Sequence, residues 1–168
     1  MRASRIPPPK GAREDVILFT VGAFRFAIAA NAVSEIRNVE GLQQFSSGPG
    51  YNQAAKVEFT LERNGLTYFV VDAARHLHLQ PTKPTRLLVL RHASAAVLVD
   101  STDRMTEISV LHALPLAFHG DERKWYRGLA VLNGEVVPVV NHDAFLSKSE
   151  TMVLRVRAEQ LRGAAAAV

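Results

Sequence analysis

The chain has 168 residues, 48% of them hydrophobic and 21% charged, with ten Gly, eight Pro and no Cys. That is enough apolar chain for one packed domain or two small lobes, which excludes a wholly disordered protein, and the lack of Cys excludes a disulfide framework, a thiolate zinc site and a cysteine nucleophile. The formal charge of +4 sits at the ends, with +3 in residues 1–14 and +2 in residues 148–168, so the middle carries −1 and lacks the clustered basic face that phosphate binding needs.

Residues 1–14, with Pro7, Pro8 and Pro9 among basic side chains, lack amide donors and periodicity and read as a flexible basic arm. The apolar run Val16 to Phe24 behind that arm, followed by small residues at Ala27 to Ala32, has the outline of a secretion signal. Glu14 and Asp15 before the run, Arg25 just past it and three prolines ahead of it argue against one, so cytoplasmic residence is expected. Stretches such as Val16 to Phe19 and Ala95 to Val99 fall far short of the roughly 18 residues that cross a bilayer.

From Val16 the pattern is one of short strands. Val16–Val21 and Phe24–Ala29 flank Gly22, a turn position. Gly41 to Gln53 is polar and reads as an exposed loop. Lys56 to Glu62 alternates, with Val57, Phe59 and Leu61 expected on one buried face. Asn64-Gly65 then forms a hairpin turn, since both residues tolerate the positive φ of a type I′ turn, and Leu66–Val71 returns. Ala73–His78 and His142–Leu146 each fit one helical turn, and His112 to Lys124 reads as a loop.

The second half repeats this plan. Arg86–Leu90 and Ala95–Val99 pair like the first two strands, Gly128–Leu132 follows, and Asn133-Gly134 makes a second Asn-Gly turn. Setting Gly65 on Gly134 also places Val70 and Val71 on Val139 and Val140 and Leu77 on Leu146, while Glu35-Ile36 falls on Glu107-Ile108 at a slightly longer offset. Two repeats of about five short strands each predict a mainly β protein of two small barrels related by a pseudo-twofold. The expected lobes are 15–80 and 81–147, with room for strand exchange. Ser149 to Gly163 is assigned to a helix, which with an Ala-rich tail fills residues 148–168.

No catalytic, cofactor or metal site is expected. His76 and His78 with Asp72, and His142 beside Asp143, lack a third ligand at metal spacing, and the His76-x-His78 pair reads as a solvated turn. G-x-S-x-G, S-x-x-K and both phosphate-binding glycine motifs are missing. Asp100 with Asp103 reads as a turn or capping pair rather than two acid-base carboxylates. Trp125 and Tyr126 between Arg123, Lys124 and Arg127 have a composition suited to stacking on bases, which leaves a small nucleic-acid-binding barrel as the alternative. The negative middle of the chain favours a packed Tyr126 instead.

Four segments in order resemble the CheW-like domain family of bacterial chemosensory systems. These are VILFTVGAFRFAIAANAVSEIR, NGLTYFVVDAARHLHL with Asp72, AAVLVDSTDRMTEI with Asp100, and LPLAF followed by YRGLAVLNGEVVPVVNHDAFL. The resemblance covers about Val16 to Leu146 and implies two five-stranded SH3-like barrels with a groove between them and no enzymatic activity. It also implies bridging between the regulatory domain of a CheA-type histidine kinase and the cytoplasmic tip of methyl-accepting chemotaxis receptors, with recruitment to membrane receptor arrays but neither nucleic-acid binding nor membrane insertion. By position, Val33, Glu35 and Arg37 belong to the contact surface, Val33 as an exposed apolar residue beside fixed charges. The family's Leu-Arg-Gly stretch falls near Arg63, Asn64 and Gly65, where Asn64 takes the Arg slot and Arg63 is displaced by one residue.

Overall fold

Local sequence sets a series of hairpins. Residues 13–46 and 55–167 are described by the computed structural model. Strands β1 (Glu14–Val21) and β2 (Phe24–Ala29) turn at Gly22, whose φ is +60°. A 3-10 turn at Ala30–Ala32 leads to β3 (Val33–Asn38) and the two-residue β4 (Gln43–Gln44). Strands β5 (Val57–Arg63) and β6 (Leu66–Asp72) meet at Asn64-Gly65, with φ of 52° and 75°, as a type I′ turn requires. Helix α1 (Ala73–His76) closes this half. Then come β7 (Arg86–Leu90), β8 (Ala95–Val99), β9 (Ser101–Ile108), α2 (Glu122–Trp125), β10 (Tyr126–Leu132), β11 (Glu135–Val140), a 3-10 turn at His142–Ala144 and α3 (Lys148–Ala166). The arm predicted over residues 1–14 lies mostly outside the described residues, and β1 already begins at Glu14.

The strands form two sheets, in the orders β10-β11-β2-β1-β9 and β3-β7-β8-β6-β5-β4. The chain is therefore not divided at residue 80. Hairpin β1–β2 joins the strands of the second half, and β7–β8 joins those of the first, so each repeat lends its opening hairpin to the other. Without the short β4, the two orders superimpose as β9-β1-β2-β11-β10 on β3-β7-β8-β6-β5. Their pairings match too: β11 runs parallel to β2 and β6 parallel to β8. The pair Gln43↔Thr60 recurs as His112↔Leu129, both members moved by the offset that carries Gly65 onto Gly134. The protein is thus mainly β, two SH3-like barrels plus a C-terminal helix.

Strand alternation sorts side chains into three cores. Val16, Leu18, Ala27, Ile108, Ala130, Val137 and Val139 fill the first barrel, and Leu61, Val70, Leu87, Val89, Ala96 and Leu98 fill the second. The opposite faces of the same strands, including Ile17, Phe19, Phe26, Ile28, Leu88, Leu90, Val97 and Val99, meet between the barrels in a third and larger core. Strands β7 and β8 are covered on both faces, which explains their unbroken apolar runs. Helix α3 lays Leu154 and Ala158 into the same central core. Its start is fixed by a capping box, Ser147 Oγ accepting from Glu150 N and Glu150 Oε1 accepting from Ser147 N.

Three local expectations are corrected. Val57 does not share a face with Phe59 and Leu61: a bulge between Val57 and Phe59 turns Val57 into the central core while Phe59 and Leu61 face the second barrel's interior. Phe45, expected in an exposed loop, is buried and packs edge-on against Phe69 at 5.7 Å. His76 is not solvated; it is buried at 6% exposure between Trp125 and Phe145, whereas His78 is exposed.

Candidate interaction surface

Strand β3 is the outermost strand of the second barrel's sheet, so one of its edges has no strand partner among the described residues. It pairs only with β7, in the register Glu35↔Val89, Ile36↔Leu88, Arg37↔Leu87 and Asn38↔Arg86. Between Val33 and Glu35 the register shifts, and the Ser34 hydroxyl bonds Val89 O at 3.1 Å. That bulge corrects one expectation. Val33 is 7% exposed and belongs to the central core, so it cannot be the apolar contact residue. The exposed apolar side chain on this strand is Ile36, at 42%.

Glu35 and Arg63 are brought together directly. Arg63, at the end of β5, donates Nε to Glu35 Oε2 at 2.9 Å across the seam between β3 and β5. Both are partly exposed, so the pair is worth under about 1 kcal/mol, but it fixes the geometry of the rim. Arg37, two residues on and on the same face, has no ion pair or hydrogen bond to a described residue. Asn64 and Gly65 lie exposed at the adjoining turn. Glu35, Ile36, Arg37, Asn38, Glu40, Arg63 and Arg86 line one shallow depression here. The structure therefore gathers five of the six expected residues on or beside this surface and withdraws Val33 into the core. Sequence reasoning passed over Ile36, readable from strand alternation, and Arg86, which carries no local signal because register alone brings it from β7 to Asn38.

A larger cleft of about 960 Å3 lies beside the first turn of α3, lined in part by Lys56, Arg75, His76, His78, Trp125 and Glu150. Several of its charges are paired with one another. Lys56 Nζ lies 3.1 Å from Glu150 Oε2 and donates to His76 Nδ1 at 3.2 Å, and Arg75 pairs with Glu58 at 2.7 Å. Burial first, then the Lys56 and His78 charges, pushes His76 down to about 3, so its ring is neutral at ordinary pH and accepts from Lys56. This cluster ties the start of α3 to the start of β5. Trp125 lies 5.6 Å from His76 and 5.0 Å from His78, and Tyr126 stacks on Phe26 at 6.3 Å, so both rings are engaged within the fold rather than arrayed for bases. Among the described residues no three His, Asp or Glu side chains are placed to hold a metal ion, and no helix is long and apolar enough to cross a membrane.

Asp100 holds the opening turn of the distant β1–β2 hairpin: its Oδ2 accepts from Gly22 N at 2.6 Å. Together these features define a two-barrel protein with an exposed rim around Glu35, Ile36 and Arg63.

Residues 15–150 match the family model of the CheW-like domain, and the chain belongs to that family. Among solved structures, the scaffolding protein TtCheW from Thermoanaerobacter tengcongensis is similar in fold, with a TM-score of 0.69 and 12% sequence identity over 82% of this chain and 95% of that one. Comparison with curated protein sequences gave no match.

Proposed function

We propose that this protein is a non-catalytic chemosensory adaptor, coupling methyl-accepting receptors to the regulatory domain of a CheA-type histidine kinase by protein–protein contacts in the cytoplasm, at membrane receptor arrays. Membership of the CheW-like family supports the class. The observation that carries the reading furthest is the exposed edge strand β3, where Ile36 stands beside Glu35 and Arg37 with the Asn64-Gly65 turn alongside. An exposed apolar residue among fixed charges combines buried area with partner selection. Two partners held on separate surfaces meet at a raised effective concentration, and the kinase is biased between its active states without any chemistry in the adaptor.

Calorimetry of the full chain against the regulatory domain of a CheA-type kinase from the same genome tests this. Micromolar or tighter binding that is lost in Ile36→Asp supports the adaptor and its kinase surface. Absence of binding to every such kinase contradicts it.

A further inference from the structure

We infer that the groove between α3 and the β7–β8 turn seats an amphipathic helix of a partner protein, its apolar stripe on Leu66 and Met152 and two carboxylates, two turns apart, on Lys148 and Arg155. The inference rests on the adaptor reading only for the identity of the natural partner. Four observations carry it. First, the groove measures about 910 Å3 and shares no lining residue with the rim around Glu35 and Arg63. Second, its floor is apolar and open to water: Leu66 and Met152 are 59% and 68% exposed, with Tyr68 and Leu146 half-buried among the lining side chains. Third, Lys148 and Arg155 stand seven residues apart on α3, on the flank that also carries Met152. Lys148 has no ion pair or hydrogen bond to a described residue, and Arg155 Nη2 donates to the neutral Ser94 Oγ at 2.8 Å, so neither cation is opposed by an anion. Fourth, β6 and β8, the strands that reach the groove, each have a strand on both sides, so the groove offers side chains and no free sheet edge.

These features select the occupant. An extended segment would find no backbone partners here, whereas a helix satisfies its own backbone and brings only side chains to the groove. Charge complementarity fixes the rest. Asp143, the one carboxylate among the lining residues, lies 3.4 Å from His142 Nε2, which leaves the α3 flank cationic. Seven residues of α-helix span about 10 Å, so carboxylates at i and i+7 of a helix lying alongside α3 meet Lys148 and Arg155 together. A second copy presenting the same flank would set these cations against their equivalents. A phosphate backbone would answer the cations but leave Leu66 and Met152 in water.

The test uses nitrogen-15-labelled full-length protein titrated with a capped, Ala-based helical peptide that carries a Leu stripe flanked by Glu at i and i+7, and with its Lys-for-Glu counterpart. The acidic peptide is expected to shift the amides of Leu66, Ser94 and Thr151 to Arg155, and the basic peptide is not. Reversing both cations, Lys148→Glu with Arg155→Glu, is expected to weaken binding by about tenfold or more. Met152→Asp, a change at an exposed position, is expected to weaken it as well. Arg162→Glu, the same charge change on α3 outside the groove, is expected to leave it unchanged. Silent groove amides, equal shifts with the basic peptide, or unchanged affinity in the double variant overturn the inference. So does self-association of the protein alone that Met152→Asp abolishes, since a second copy would then be the occupant. Parallel titrations with the kinase regulatory domain and the receptor-tip fragment separate the two ideas. If the peptide occupies the groove but neither fragment binds the protein, the adaptor reading falls and the groove stands. If both fragments bind wild type and the double variant alike while the groove amides stay silent to the peptide, the adaptor reading stands and the groove falls.

Discussion

Asp72 and Asn141, related by the same offset as the two Asn-Gly turns, perform the same task at the ends of the equivalent strands β6 and β11. Each side-chain oxygen accepts the backbone N–H two residues ahead, from Ala74 at 3.0 Å and from Asp143 at 3.2 Å, and each starts a short helical turn. The repeat thus extends from strand order to individual capping bonds. Replacing either residue by Ala is expected to cost about 1 kcal/mol. A urea titration checks this: the midpoint falls while the slope stays fixed, because the compactness of neither state changes.

Gly128 is a test of the first barrel's closure. A Cβ there would meet His112 O and lie 2.8 Å from Leu111 Cγ, at the place where His112 and Leu129 exchange backbone bonds at 2.8 and 2.9 Å. Gly128→Ala must push that segment away and is expected to cost about 1–3 kcal/mol. Gly134→Ala meets no atom and bears only the strain of φ +78°, about 1 kcal/mol. Thermal unfolding of the pair checks the order; a Gly128→Ala protein as stable as wild type contradicts the closure described here.

These positions show what the sequence could reveal. The Asn-Gly turns are legible because their signal is held within one turn, and setting one turn on the other gives the offset between the halves; Asp72, Asn141 and Ser147 are not singled out as caps by the sequence reading. Strand exchange between the lobes is allowed for, but which hairpins exchange, β1–β2 and β7–β8, is not legible, because alternation states which face of a strand is buried and not which distant strand lies beside it. Val33 and Val57 were misplaced for one shared reason: the bulges at Ser34 and Glu58 each insert a residue and reverse the faces that alternation assigns. The Glu35–Arg63 contact was half legible, both residues being candidates for the surface, but the ion pair itself depends on the seam between β3 and β5.

Acid stability should depend on His76. Burial, then Lys56 and His78, lowers it from 6.5 to about 3, so between those values the unfolded chain binds a proton that the folded protein does not. Stability from this group is complete above about pH 6.5 and is lost as pH falls toward about 3, at up to about 1.4 kcal/mol per pH unit. His76→Phe, which keeps a ring between Trp125 and Phe145, is expected to flatten that slope. Denaturant midpoints measured across this range check it, and parallel curves for the two proteins contradict it.

Asn64 holds φ at 52° as the first turn residue between β5 and β6. Asn64→Arg restores the Arg of the family's stretch at an exposed position and is expected to tighten binding to a conventional receptor tip. It should also lose about 1 kcal/mol of stability, since Arg tolerates this conformation less well than Asn. Affinity and denaturation measurements on the same preparation check both halves, and no gain in affinity counts against a receptor contact at this turn.

The central claim is that one chain holds kinase and receptor at the same time. Sedimentation of the full-length protein with differently labelled kinase regulatory domain and receptor-tip fragment tests it most directly. The account predicts a single boundary carrying both labels; a receptor fragment that displaces the kinase domain would contradict it.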